Sequence, residues 1–209
     1  TEMYSYDATP EDYELKDVSI ERDKEDVIPM VLAAKEKASD LRLFASPWSP
    51  PAWMKTNGKM DKGGFLRKEC QDAWARYTAH YIKAYEEEGI PIWGVTVQNE
   101  AKAEQGWESC HYEAGEERDF VTGYLKPVYE REGLGDKKIF FWDHNKERVV
   151  DRSLETLCSD RARAAFDGIA VHWYSGDHFG ALDVTHRLFP EKLLIASEQC
   201  KGREELPWE

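Results

Sequence analysis

This sequence has no excess of positive charge, no long apolar run, no glycine-rich nucleotide loop and no closely spaced cysteines. Each absence excludes a class of function. Its 28 Lys and Arg stand against 41 Asp and Glu, a net charge of −13. Nucleic acids and anionic membranes are held by Lys/Arg patches, so neither is the expected partner. No window of about 18 apolar residues occurs, so no helix is expected to span a membrane. Neither G-x-G-x-x-G nor G-x-x-x-x-G-K-[ST] follows any strand-like segment, which argues against a nucleotide-binding sheet. The four cysteines, at 70, 110, 158 and 200, are 40, 48 and 42 residues apart. Without a C-x-x-C pair they form neither a zinc-finger pattern nor a redox motif, and they read as isolated thiols. There is no Pro/Gly/Ser linker and no low-complexity tract, so 209 residues make one sizeable core, or at most one domain with an appendage. The opening "TEMYSYDATPED" lacks an initiator Met and reads as the middle of something. The missing signal peptide therefore leaves the compartment unknown; a soluble chain, cytoplasmic or secreted, is expected.

Aromatic residues are abundant instead, with 8 Trp and 10 Tyr. Many stand beside polar residues at the ends of apolar runs. Five such runs occur: "LRLFASPW" (41–48), "IWGVTVQNE" (92–100), "KIFFWDHN" (138–145), "GIAVHWYS" (168–175) and "LLIASEQC" (193–200). Near-continuous apolarity is the mark of strands buried on both faces, as in a parallel sheet. Helical patterns lie between them. The clearest is 71–88, where Trp74, Tyr77, Thr78, Tyr81, Ile82 and Tyr85 share one face and Gly89 stops the helix. Segments near 24–38, 116–132, 147–165 and 180–188 follow the same pattern more weakly.

Strands alternating with helices imply βαβ units and right-handed crossovers. All five runs carry their polar residues at the C-terminal end: Ser46/Trp48, Asn99/Glu100, Asp143/His144/Asn145, His172/Trp173/Tyr174 and Glu198/Gln199. That is where a (β/α)8 barrel places its chemistry. The expected fold is therefore α/β, a (β/α)8 TIM barrel. A closed barrel needs eight strands and about 250 residues, so this one is incomplete, and its sheet has two unpaired edges.

Two of the runs end in glutamate, Glu100 after "VTVQN" and Glu198 after "LLIAS". One such Glu can simply accept hydrogen bonds at a sheet rim. Two on barrel strands three apart face one another across the mouth, as glycoside hydrolysis requires. One carboxyl must give a proton to the leaving oxygen while the other, ionised, attacks or activates water.

The segments "ASPWSPPAWMKTNG", "VTVQNE", "FFWDHN", "IAVHWYSGD", "THRLFP" and "ASEQC" together resemble glycoside hydrolase family 30, the glucosylceramidase-like β-glycosidases, in order and over nearly the whole chain. The resemblance implies a retaining mechanism with Glu100 as acid/base, Glu198 as nucleophile and no cofactor. It also implies that the five strands are about the third to seventh of the barrel. Residues 1–209 would then be part of a catalytic barrel domain, without its N- and C-terminal strands or the family's β-rich side domain. Asn99 is expected to bind the sugar 2-hydroxyl, Trp53 to stack on the sugar, and Asp7 to bind its outer hydroxyls, though without strand two Asp7 is expected to be mobile. Tyr174 and His172 form a pocket wall, the first near the nucleophile, and Trp107 lines the entrance. Each has a plainer reading: Asn99 as a loop cap, Trp53 as a hydrophobic plug, Trp107 as loop packing, and His172 as structural. Asp143 and His144 are read as a polar cluster behind the site. The acidic runs "EEE" (86–88) and "EE" (116–117) are read as solvated faces. One departure from the family pattern is Ala101, where Pro commonly follows the acid/base; alanine relaxes that turn without removing a chemical group.

β-Glucosides or glucosylceramide-like lipids are the implied substrates, with β-xylosidase and β-1,6-glucanase as alternatives. A non-catalytic truncated fragment is a further reading. A metal-dependent hydrolase using Asp143, His144 and His172 is a third, which needs ligands converging on one ion at about 2.0–2.2 Å; their spacing in the sequence does not single it out.

Overall fold

A computed structural model describes residues 2–200. Five strands form one sheet in the order β1-β2-β3-β4-β5, every neighbouring pair parallel. They are β1 (Leu43–Ala45), β2 (Ile92–Thr96), β3 (Lys138–Asn145), β4 (Gly168–His172) and β5 (Leu193–Glu198). The sequential order is that of a barrel rather than a doubly wound sheet, whose order reverses at a switch point. The helices are α1 (Val27–Lys37), α2 (Gln71–Glu87), α3 (Ala114–Phe120), α4 (Lys126–Arg131), α5 (Val149–Thr156), α6 (Asp160–Ala165) and α7 (Phe179–Leu188). The fold is thus a parallel half-barrel of βα units. Among the described residues no helix is long and apolar enough to cross a membrane.

The expected elements form, with local differences. The helix expected at 116–132 runs as α3, a π-turn at Val121–Leu125 and α4; Gly123, inside the π-turn, is a weak helix former. The helix expected over 147–165 breaks into α5 and α6, because Ser159 caps a new start by accepting the Ala162 N–H at 3.2 Å.

Burial follows the pairing. β4 is buried throughout and β3 over five of its eight residues, whereas β1 is half-buried and β5 alternates between half-buried and exposed. The two outer strands have one neighbour each in this sheet, so less covers them. The centre is aromatic: Trp74 of α2, Phe120, Tyr129, Phe140, Phe141 and Phe166 are all fully buried. Gly168 makes the tight packing possible. A methyl group there would collide with the Leu193 carbonyl and lie 2.9 Å from the Phe140 ring.

The N-terminal segment is tied down by a buried carboxylate. Asp23 accepts hydrogen bonds from the hydroxyls of Tyr4 (2.6 Å), Tyr6 (2.7 Å) and Tyr85 of α2. Tyr6 also stacks on Tyr81, 5.5 Å between ring centres. Part of the tyrosine surplus is therefore structural.

Candidate active site

β2 ends at Thr96, and the next four residues are steered by hydrogen bonds to neighbouring strand ends. The Val97 N–H donates to the Phe140 carbonyl (3.0 Å), Asn99 N–H to Pro47 (2.9 Å) and Glu100 N–H to Asp143 (2.8 Å). Gln98 is buried, and its amide donates to the Trp48 and Asn99 carbonyls at 2.7 and 2.9 Å. Glu100 adopts φ 48°, in the left-handed region. Such backbone costs of order 1 kcal/mol or more and persists only where surroundings over-determine it. Here the Glu100 N–H is held by Asp143, and its carbonyl accepts the Ala103 N–H at 2.8 Å. The carboxylate is half-buried. Oε2 accepts from the Gln105 amide (3.1 Å), and Oε1 lies 3.6 Å from His172 Nδ1.

β3 carries a bulge. Its register against β4 slips between Trp142 and His144, and Trp142 and Asp143 both have positive φ, 75° and 44°. Bulges recur beside active sites because they re-aim a side chain. This one is fixed by a buried ion pair, since the Trp142 N–H donates to Glu117 Oε1 at 3.2 Å. Glu117 Oε2 in turn accepts from Arg152 Nη2 (2.6 Å) and Nε (3.2 Å). Glu117 was expected on a solvated face. It is instead 0 % exposed, because Arg152 of α5 reaches across to neutralise it.

The re-aimed Asp143 is the hub of the site. It accepts hydrogen bonds from Ser46 beyond β1, Thr96 of β2 (2.7 Å), His172 of β4 (Nε2, 3.0 Å) and Ser197 of β5 (2.5 Å). One carboxylate therefore gathers the ends of all four other strands. Because Asp143 accepts, His172 Nε2 carries a proton. Burial works against a charge on His172, yet the Asp143 and Glu100 carboxylates push its pKa up to about 9. His172 reciprocally holds the Glu100 carboxyl below the usual glutamate range, against the effect of burial. At 3.6 Å the two attract as charges and are too far apart for a hydrogen bond.

Glu198 is the last residue of β5. Its Oε1 accepts the Tyr174 hydroxyl at 2.8 Å. The Tyr174 N–H donates to Asn145 Oδ1 (2.8 Å), and the Tyr174 hydroxyl accepts the Cys200 N–H (2.9 Å). The end of β4 thus serves both glutamates: His172 faces Glu100, Tyr174 binds Glu198, and the two rings lie 5.8 Å apart and edge-on.

The remaining expected residues are placed less centrally. Trp53, half-buried, sits in a single 3-10 turn, edge-on to Tyr13 at 5.4 Å. It lines a cleft of about 1430 Å³ with Phe65, His111, Tyr112 and Tyr124. Its indole N–H donates to the Asp7 carbonyl at 3.4 Å. Asp7 is not loosely held but buried, because its Oδ1 accepts the Thr9 N–H at 3.0 Å in a tight turn. Its Oδ2 is buried without a hydrogen-bond partner, and burial raises its pKa. Trp107 is 48 % exposed on the loop after Glu100. Sequence reasoning placed Ser46 at a strand end without its role, and missed Thr96 and Ser197 beside Asp143, the Gln105 contact and the Glu117–Arg152 pair. Their common signal, small hydroxyl residues at three strand ends, is visible only once the strands are aligned.

One convergence differs from the ligand set weighed as a third reading of the sequence. Asp143 does not join His144 and His172 as a metal-ligand set. Instead Glu100, His144 and His172 each offer a ligand atom within 4.8 Å of the others, while Asp143 is engaged by its four donors.

The glycosyl hydrolase family 30 TIM-barrel domain matches residues 1–207. The chain belongs to glycoside hydrolase family 30. It is 34 % identical over 214 residues to the lysosomal acid glucosylceramidase of Mus musculus, covering 96 % of this chain and 41 % of the relative. It is 32 % identical over 131 residues to an endo-1,6-β-D-glucanase of Trichoderma harzianum, over 57 % of this chain and 26 % of that one. Among solved structures, SrfJ from Salmonella typhimurium superposes with a TM-score of 0.88 at 37 % identity, covering 91 % of this chain and 43 % of that one. The endo-β1,6-glucanase BT3312 superposes equally well, TM-score 0.88 at 27 % identity, over 97 % and 47 %. The family 30 chain described here spans about 41 % of the length of the curated glucosylceramidase relative. The half-barrel of five parallel strands is thus part of a family 30 (β/α)8 barrel.

Proposed function

We propose that the barrel to which this family 30 chain contributes is a retaining β-glycosidase, with Glu198 as nucleophile and Glu100 as acid/base. The observation that carries this reading is the end of β4, where His172 and Tyr174 attend one glutamate each. Glu198 attacks the anomeric carbon, and the glycosidic C–O bond breaks as Glu100 gives its proton to the leaving oxygen. Water then attacks the glycosyl ester, now with Glu100 taking the proton. The hydrogen bond from Tyr174 orients the Glu198 carboxylate. The low pKa of Glu100 suits the base of the second step. As acid of the first step it must be protonated, so turnover is expected to favour acidic pH. Asn99 is assigned to the sugar 2-hydroxyl, Trp53, Trp107 and Asp7 to substrate contacts, and His172 and Tyr174 to the pocket wall. No metal or cofactor takes part in these steps.

β-Glucosides of the glucosylceramide type are the substrates this reading favours, in keeping with the name of the mouse relative. A β-1,6-glucanase is the second reading, supported by the superposition on BT3312. The test is hydrolysis of aryl β-glucoside, aryl β-xyloside and β-1,6-glucan, by this chain and by the natural reading frame that carries it. Glu198→Gly is expected to be inactive and to form, with azide, a glycosyl azide of inverted configuration relative to the substrate. Turnover abolished by EDTA, or a Glu198→Gly protein as active as the parent, refutes the assignment. Turnover by the longer protein alone leaves this chain as a non-catalytic piece.

A further inference from the structure

We propose that Glu100, His144 and His172 form a binding site for a transition-metal cation of the zinc class, and that occupancy of this site switches the glycosidase off. The inhibitory part rests on the reading of Glu100 as acid/base; the binding part does not.

The three ligand atoms lie within 4.8 Å of one another. Two of the three residues also have a buried ring nitrogen that makes no hydrogen bond, although His172 Nδ1 faces Glu100 Oε1 at 3.6 Å. His144 Nδ1 and His172 Nδ1 are both shielded from solvent and have no hydrogen-bond partner. A buried polar atom left unpartnered costs about 1–3 kcal/mol, and one cation shared by these two nitrogens and the carboxylate would satisfy all three. His172 is 1 % exposed, and its other ring nitrogen donates to Asp143 at 3.0 Å. This is the arrangement that prepares a histidine for a metal: a carboxylate behind the ring orients it, and the facing nitrogen gives up its proton to the cation as it binds. Asp143 is itself immobilised by Ser46, Thr96 and Ser197, so the ring is held in place. The His172 Nδ1 to Glu100 Oε1 separation of 3.6 Å is close to the ~3.3–3.5 Å edge of a tetrahedron whose ligands lie about 2.0–2.1 Å from zinc.

Donor chemistry sets the class of ion. Two imidazoles and one carboxylate suit Zn²⁺, Co²⁺, Ni²⁺ or Cu²⁺, whereas Mg²⁺ and Ca²⁺ prefer all-oxygen shells. Three protein ligands leave one tetrahedral position for water. The bound ion occupies the Glu100 oxygen through which a proton would be delivered, so hydrolysis stops until the ion is removed.

The test uses the natural reading frame that carries this chain, in a Cys158→Ser/Cys200→Ser background, since both thiols are exposed and bind zinc themselves. Aryl β-glucoside turnover is titrated with ZnCl2, then with excess EDTA, and compared with MgCl2. CoCl2 binding is followed separately by its visible absorption, which needs no turnover. Zinc is expected to inhibit and EDTA to restore activity, with magnesium inert and cobalt giving an intense tetrahedral spectrum. His144→Asn and His144→Phe are each expected to weaken both effects by at least about 10–100-fold, the loss usual even for an outer-shell partner. Undiminished turnover at millimolar zinc with no cobalt spectrum overturns the proposal. So does unchanged zinc sensitivity in both folded His144 variants. A protein inactive on every glycoside that still gives a His144-dependent cobalt spectrum refutes the glycosidase reading and leaves the metal site standing.

Discussion

Replacing Arg152 with Met tests whether the buried ion pair behind β3 holds the site together. Arg152 is 7 % exposed at its side chain and Glu117 not at all. The guanidinium gives Glu117 two hydrogen bonds, gives the Tyr112 carbonyl a third at 2.7 Å, and lies 5.1 Å from the Trp142 ring centre. Methionine keeps much of the stem's apolar packing and removes every one of these charge-assisted contacts. Removing one partner of a buried pair costs about 3–5 kcal/mol, mostly because the other charge is left buried alone. The Tyr112 carbonyl adds to that loss without being independent of it. The cost depends on pH. Burial already raises the Glu117 carboxyl above its ordinary value, and Arg152 is the largest influence pulling it down. Without Arg152 it rises further. A carboxyl whose folded pKa exceeds its unfolded value, about 4.3, contributes stability that is complete below that value and is lost as pH rises through the folded one. The deficit of Arg152→Met is therefore largest at neutral and alkaline pH and narrows toward pH 5. Urea unfolding of the natural reading frame at pH 5 and 8 measures both quantities. A Glu117→Leu/Arg152→Met protein should recover most of the loss, less about 1 kcal/mol for the Trp142 N–H left without its acceptor. A single-variant deficit under 1 kcal/mol, or one that grows as pH falls, refutes the reasoning.

Other consequences concern the site and the sheet. His172→Gln, which still donates to Asp143 but loses its charge, should move the alkaline limb of the kcat/KM–pH profile upward. His172 is the chief influence holding Glu100 low, and a general acid works only below its own pKa; an unmoved limb would mean that another group supplies the proton. Gly168→Ala should destabilise by about 1–3 kcal/mol in thermal or urea unfolding, as overpacking against Leu193 and Phe140 does. Alanine tolerated there without loss would show that the β4–β5 contact is looser than described.

The strands and helices were legible from the sequence because burial imposes a local period. Near-continuous apolar runs became β2 to β4, and the spacing of Trp74, Tyr77, Ile82 and Tyr85 became the inner face of α2. The placing of Glu100 and Glu198 at strand ends was equally local, and the resemblance to family 30 needed only the motifs around them. What sequence reading misjudged were residues whose partners lie far along the chain. Glu117, beside another glutamate on a short helix, has the local pattern of a solvated face, and only Arg152, 35 residues on, makes its burial tolerable. The bulge at Trp142 has no marker, because neither residue is a glycine and both are held at positive φ by hydrogen bonds from elsewhere. Likewise, no local pattern links positions 46, 96, 143, 172 and 197. By itself, then, the sequence determined which segments are strands, which ends carry carboxylates and which family they resemble. Only the tertiary structure decided that Asp143 gathers four strand ends, that His172 stands between Asp143 and Glu100, and that two imidazoles converge on one carboxylate. Periodicity reports whether a residue is buried, whereas charge and hydrogen bonding depend on which distant residue is buried next to it.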